Sequence, residues 1–286
     1  MLDLFDEIFE IENGTLISYK GHDSTVVIPD EVTVIGNYAF NDCATLEVVV
    51  IPETVKEIGN MAFANCDKLK SVTVPDNVTK LGSSCFSDCK RLEYAFIGAG
   101  VSAIGESPFL RSPALAEIRV SENNPKYKSE GGVLLTKDGR AVISYPAGAA
   151  SEEYAIPEGV AIIAASAFWG AESLVKVSMP DTLTHIGNFA FQYCKNLSVI
   201  ETSASLKVLG SCVFGGCESL AVLRLPKTLT SVGYHAVADC PTKVICSTRK
   251  KPFSLPAGFH KDWIGKSNKS SFGRRFKKTI KERRKK

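Results

Sequence analysis

Nine cysteines and four histidines are the residues of this 286-residue chain best suited to metal, redox or nucleophilic chemistry. A zinc site would need Cys-x-x-Cys pairs or neighbouring histidines, because four ligands must converge on one ion. Cys85 and Cys89 stand wider than that, as do Cys212 and Cys217, and no histidine lies near them in sequence. His22, His185, His235 and His260 are scattered, and none has a Ser, Cys or carboxylate at a spacing that would pair a nucleophile with a base. Gly98-Ala99-Gly100 is followed by no Gly-Lys-Ser that would let a loop cradle phosphate. The expectation is no catalytic residue, no metal, no cofactor and no small-molecule substrate.

Most of the cysteines obey a period instead. Gly36, Gly59, Gly82 and Gly105 are 23 residues apart, and Gly187, Gly210 and Gly233 resume that spacing with Ala164 ahead of them. An aromatic follows each in step at Phe40, Phe63, Phe86, Phe109, Phe168, Phe191 and Phe214, with Val237 as the eighth. Next comes a column of Cys43, Cys66, Cys89, Ser112, Ala171, Cys194, Cys217 and Cys240. Exchange with Ser and Ala marks this column as a small buried slot, so reduced packing thiols are expected, with disulfides an option only for an exported chain.

A unit this short cannot bury its own apolar face and must stack on its neighbours. Leu46 to Pro52 alternates as a strand with one dry face, and the proline ends the ladder. Val55-Lys56-Glu57-Ile58-Gly59 closes on a glycine turn, and Asn60 to Cys66 has room for about two helical turns that only packing could hold. About eight 23-residue units of this kind predict an α/β repeat solenoid.

The motif Leu-x-x-Val-x-Ile-Pro-x-x-Val-x-x-Ile-Gly-x-x-Ala-Phe-x-x-Cys, running from about residue 23 to 245, resembles the BspA-type leucine-rich repeat. The resemblance implies a right-handed superhelix with parallel strands on one face and short strands or helical turns on the other. It also implies a bacterial protein, often surface-exposed and adhesion-like, that binds rather than catalyses.

Three segments follow: an N-terminal cap over residues 1–25, a solenoid over 26–246 and a basic tail over 247–286. The period is broken between Gly105 and Ala164, where 59 residues replace 23, and the insertion is placed at about 121–156. Within it two apolar strands flank Asp138-Gly139, a strong hairpin signal. The hairpin reads either as a structural flap or as a binding loop. Asn13 to Tyr19 echoes the stretch beginning at Gly131 to Leu135.

The tail holds 15 Lys and Arg against Asp262 and Glu282, a net of +13, which leaves −10 on the rest of a chain whose total is +3. Phe272, Phe276 and Ile280 recur at helical spacing among its charges. Arg274, Arg275, Lys277, Lys278, Arg283 and Arg284 are candidates for a polyanion, either nucleic acid or anionic membrane, while docking on the acidic body and simple solvation stay open. No apolar run approaches the roughly 18 residues of a membrane span. The acidic start, Met1 to Glu7, lacks the basic region of a secretory leader. A cytoplasmic protein is expected if Met1 is the native start, and a cell-surface or secreted one if a leader was removed.

Strand positions that alternate with the dry face form two outward columns. Val48, Val50, Tyr94 and Phe96 make an apolar cluster in the first half, and Glu117, Arg119, Lys176, Glu201 and Arg224 a charged second half. Val48, Val50, Tyr94, Phe96, Arg119, Lys176 and Arg224 are the candidate partner-binding residues, unless the insertion or an N-terminal strand covers them. The expected function is a noncatalytic binding scaffold for a protein or other macromolecule, with an adaptor attached through its basic tail as the alternative.

Overall fold

The computed structural model describes residues 8–246. Each coil contributes a longer strand and a two-residue strand, and like strands of successive coils pair in parallel, except that no ladder joins Val48–Val50 to Ser71–Val74 or Val199–Glu201 to Val222–Leu225. Thr25–Val27, Val48–Val50, Ser71–Val74, Tyr94–Ile97 and Glu117–Val120 follow one another on the long wall of the first half. Val34–Ile35, Glu57–Ile58, Lys80–Leu81 and Ala103–Ile104 line the short wall. The register is a strict one-unit step, as in Ser71 opposite Tyr94 and Tyr94 opposite Glu117. Alternation settles which side chains turn inward: Val26, Val49, Val72, Ala95 and Ile118 are buried beneath the long wall.

The third wall differs from the expectation. No helix forms between the glycine and cysteine columns, so the α/β reading is corrected to an all-β solenoid. Met61 and Asn65 are both left-handed, at φ 52° and 59°. This turns alternate N–H groups along the rod, where Met61 donates to the Ser83 carbonyl, Phe63 to Cys85 and Asn65 to Ser87 at 2.9–3.0 Å. A helical turn would bond those amides to its own chain and leave the next coil's carbonyls unpaired.

Stacking at this pitch explains the aromatic column. Tyr19, Phe40, Phe63, Phe86 and Phe109 lie face over face with centroids 4.8–5.8 Å apart. Tyr145, Phe168, Phe191 and Phe214 repeat the arrangement at 4.6–5.5 Å. The glycine column marks the closest backbone approach, since a Cβ on Gly82 would stand 2.4 Å from the Asn60 nitrogen.

The insertion ends one array and starts another. Asn124 and Tyr127 stand one period after Val101 and Ile104, so the repeat runs on past the last aromatic of the first half. Buried Asn124 donates to the Gly98 and Val101 carbonyls at 2.9 Å and accepts from the Lys126 and Tyr127 amides, closing the valine column with a polar plug. The chain then reverses through Tyr127–Glu130, Val133–Thr136 and Ala141–Ser144, paired antiparallel, before Ala141–Ser144 joins Ile162–Ile163 in parallel. The solenoid therefore has about nine turns, more than the eight counted from columns.

Val133–Thr136 is a shared partition, with Leu134 in the first core and Val133 and Leu135 in the second. The N-terminal echo also falls in a different register from the one read in the sequence. Thr15–Tyr19 pairs in parallel with Val34–Ile35 as Ala141–Ser144 does with Ile162–Ile163, which aligns Ile17-Ser18-Tyr19 with Ile143-Ser144-Tyr145. Tyr19 and Tyr145 then play the same part, each capping an aromatic stack and donating its backbone N–H to Ala39 or Ala167.

The Tyr145 hydroxyl is buried and has no hydrogen-bond partner among the described residues. Tyr145→Phe removes that desolvated group while keeping the stacked ring, so it is expected to raise unfolding free energy by about 1 kcal/mol in urea titration. A loss of similar size would show that the hydroxyl is bonded in solution.

Candidate partner-binding surface

The long wall presents the two outward columns in two registered groups: Thr25 and Val48 beside Val27 and Val50, then Ser71, Tyr94 and Glu117 beside Thr73, Phe96 and Arg119. Val48 and Val50 are exposed, and Val27, opposite Val50, is 62% exposed. Tyr94 and Phe96 are half-buried. They do not touch the valines as one unbroken cluster, because Ser71 and Thr73 occupy the rung between them. The apolar surface extends instead toward the free end of the wall, where Ile8, Phe9, Tyr19, Asp23, Thr25, Val26 and Val27 line a hollow of about 240 Å³. Val27 was legible as a column member and belongs with Val48 and Val50.

Two ion pairs lie on the wall. Arg119 Nε donates to Glu117 Oε1 at 2.8 Å, and that carboxylate holds the guanidinium above its ordinary value. Lys176 Nζ meets Glu201 Oε1 at 3.1 Å while Ser178 Oγ donates to Glu201 Oε2 at 2.6 Å. The hydroxyl and then the ammonium hold Glu201 below the usual carboxylate range. Arg224 is exposed on Val222–Leu225, the strand paired with Lys243–Cys246. The insertion packs on the edge of the wall, with Ile118 N–H on the Gly132 carbonyl at 3.0 Å and Val120 N–H on Ser129 Oγ at 3.1 Å. The structure thus brings Tyr94, Phe96 and Arg119 together, keeps Val48 and Val50 one rung away, and sets Lys176 and Arg224 in the second array.

Arg274, Arg275, Lys277, Lys278, Arg283 and Arg284 lie outside the described residues. A feature the sequence reading missed is a groove of about 510 Å³ along the short wall, bounded by Ile17, Val34, Glu57 and Lys80 over the bare backbone of Gly36, Gly59 and Gly82. Glu57 and Lys80 pair across it at 3.3 Å.

The cysteine column has a role beyond filling space. Cys66, Cys89, Cys194 and Cys217 each donate Sγ–H to the carbonyl of the phenylalanine in the preceding coil at 3.0–3.2 Å, and Ser112 Oγ does the same at 3.0 Å. Ala171 falls in the first full coil of the second array, whose predecessor is Tyr145. Eight of the nine cysteines, those from Cys43 to Cys240, are free thiols. Burial pushes Cys89 and Cys194 up to about 12. His22, His185 and His235 are exposed and belong to separate coils. Among the described residues no three His, Cys, Asp or Glu side chains gather as a metal ion would need, and no helix is long and apolar enough to cross a membrane.

A profile of the BspA type leucine rich repeat region matches residues 18–130 and 147–250, in six copies. The chain belongs to this family, and the gap in the match falls on the antiparallel hairpin that joins the two arrays. No curated protein matches the chain. Among solved structures, the pneumococcal vaccine antigen PcpA shares 22% identity at a TM-score of 0.67, over 81% of this chain and 65% of that one. This chain therefore spans about two thirds of that structure's length. A leucine-rich repeat protein from Eubacterium ventriosum shares 19% identity at a TM-score of 0.50, over 79% of this chain and 88% of that one. Both likenesses are of fold.

Folded thiols with a raised pKa stabilise the protein fully below the unfolded value of about 8.5. That contribution is lost as pH rises from there through about 12 for Cys89 and Cys194. Alkaline titration of stability should fall in this window, and the double variant Cys89→Ser/Cys194→Ser should flatten the fall while retaining the carbonyl hydrogen bonds. An unchanged alkaline limb would place the loss elsewhere.

Proposed function

We propose that the protein is a noncatalytic binding scaffold whose long strand wall recognises another protein or a cell-surface macromolecule. The carrying observation is that this wall exposes Val27, Val48 and Val50 and half-exposes Tyr94 and Phe96, while Glu117 is paired with Arg119 and Glu201 with Lys176. Aromatic and apolar groups set in a rim of satisfied polar pairs are the composition of interaction hot spots. Val48, Val50, Tyr94 and Phe96 form the apolar contact, and Arg119, Lys176 and Arg224 the polar rim. The pneumococcal antigen supports the wall as a scaffold only through its likeness of fold.

Tyr94→Ser/Phe96→Ser is expected to weaken capture of a partner purified from the native host at least tenfold. Thermal unfolding should still show one cooperative transition. Full affinity in the folded double variant would sink this use of the wall.

The charge count of residues 247–286 carries a second reading, attachment to a polyanion. Binding to duplex DNA or to vesicles containing anionic lipid should decline steeply between 50 and 200 mM salt, on the order of several counterions released. Equal binding by a chain ending at residue 246 would remove the tail from the account.

A further inference from the structure

On the turn edge of the second array, away from the long wall, Phe189, Tyr193 and Tyr234 are 40%, 44% and 53% exposed. Phe189 and Tyr193 have φ of 59° and 60°. The equivalent positions of other coils mostly hold Ser, Asn, Asp or Gly, although Tyr38, Met61 and Arg111 are also left-handed in the first array. A left-handed backbone costs an L-residue about 1–2 kcal/mol and is borne most readily by Gly, Asn and Asp. Two aromatic residues here go against local preference, and burial does not offset the cost.

Nor does the Tyr193 side chain hang loose. The Tyr193 ring lies across Gly216, where an added Cβ would stand 2.6 Å from its Cδ1. Trp169 meets that ring edge-on at 5.4 Å and 76°. The indole Nε1–H donates to Gln192 Oε1 at 3.2 Å, and the Gln192 amide lies over Gly215, 3.3 Å from the place of its missing Cβ. The paired glycines, both buried, are the seat of an ordered platform of two rings and an amide. Strain at exposed aromatic positions, held in one geometry by neighbours, marks a functional surface, and rigid rings lose little entropy on binding.

We propose that this ridge binds a neutral glycan, with sugar C–H faces against Tyr193 and Phe189 and sugar hydroxyls on the Gln192 amide and the Tyr234 hydroxyl. Rings, amide and phenols carry no charge, Glu172 and Lys195 neutralise each other at 2.6 Å, and Glu218 beside Lys195 disfavours an anionic ligand. A folded protein partner needs about 20–30 residues a side, far more than this ridge provides. A slender chain fits, because one sugar ring is about as wide as the coil spacing of roughly 4.8 Å.

The test is affinity electrophoresis of the full chain in gels carrying β-glucan, mannan or galactan, with polygalacturonate as the anionic control. Retardation is expected in at least one neutral gel. Tyr193→Asn and Phe189→Asn should each weaken it about tenfold or more, with Tm unchanged or raised because Asn accepts the left-handed backbone. Ile162→Ser, at an exposed position on the short wall, should leave it intact. No retardation in any neutral gel, retardation in polygalacturonate alone, undiminished affinity in both Asn variants, or a loss that accompanies a lowered Tm would each overturn the proposal.

Discussion

Every coil must meet its neighbours at the spacing of one backbone hydrogen bond, and the rest of the structure depends on that constraint. It operates on all three walls. The two strand walls satisfy it with parallel pairs stepped by one unit, and the turn wall satisfies it with amides that left-handed residues such as Met61 and Asn65 aim along the rod. Once the pitch is set, the phenyl rings must stack, the glycines must lack a Cβ, and the small slot behind most rings holds a thiol or hydroxyl that donates to the phenylalanine carbonyl of the preceding coil. The ion pairs Glu47–Lys70, Glu57–Lys80 and Asp67–Lys90 follow from the same step, since it puts one coil's surface residue beside the next. These pairs are exposed and add little to stability.

The columns were legible because each repeats the same packing problem. Alternation in Ser71-Val72-Thr73-Val74 identified which residues face out, and the structure buries Val72 and Val74 as that pattern requires. The turn wall was not legible in the same way. Asn60 to Cys66 has the length and composition of a short helix, and what forbids it is the hydrogen-bond demand of the adjacent coil, which no local window contains. The cysteine column was read as a steric slot from its exchange with Ser112 and Ala171, and only the carbonyl opposite shows that the thiol and hydroxyl are wanted as donors. The hairpin echo failed by register. Asn13-Gly14 looked like the glycine pair at Gly131-Gly132, whereas pairing with the next coil aligns it with Gly139-Arg140.

Removing the periodic residues from the list of functional candidates leaves the outward side chains, which the pitch does not constrain. On the long wall they divide into an apolar stretch near the free end and paired charges toward the second array. On the turn edge they include aromatic residues that the backbone there would not choose for itself. The hairpin at the junction belongs to the architecture, since Leu134 and its neighbours wall off both cores and Asn124 closes the valine column of the first array. A scaffold of this kind gains binding surface at small structural cost, because substitutions facing solvent leave the hydrogen-bonded pitch untouched.

Amide hydrogen exchange tests the central claim most directly. If the turn wall is bonded from coil to coil, the amides of Met61, Phe63 and Asn65 will be protected to nearly the same degree as those of the neighbouring strand Ser71–Val74. Exchange at those amides orders of magnitude faster than in the strand would show that the third wall is open, and would contradict the account of how these coils are held.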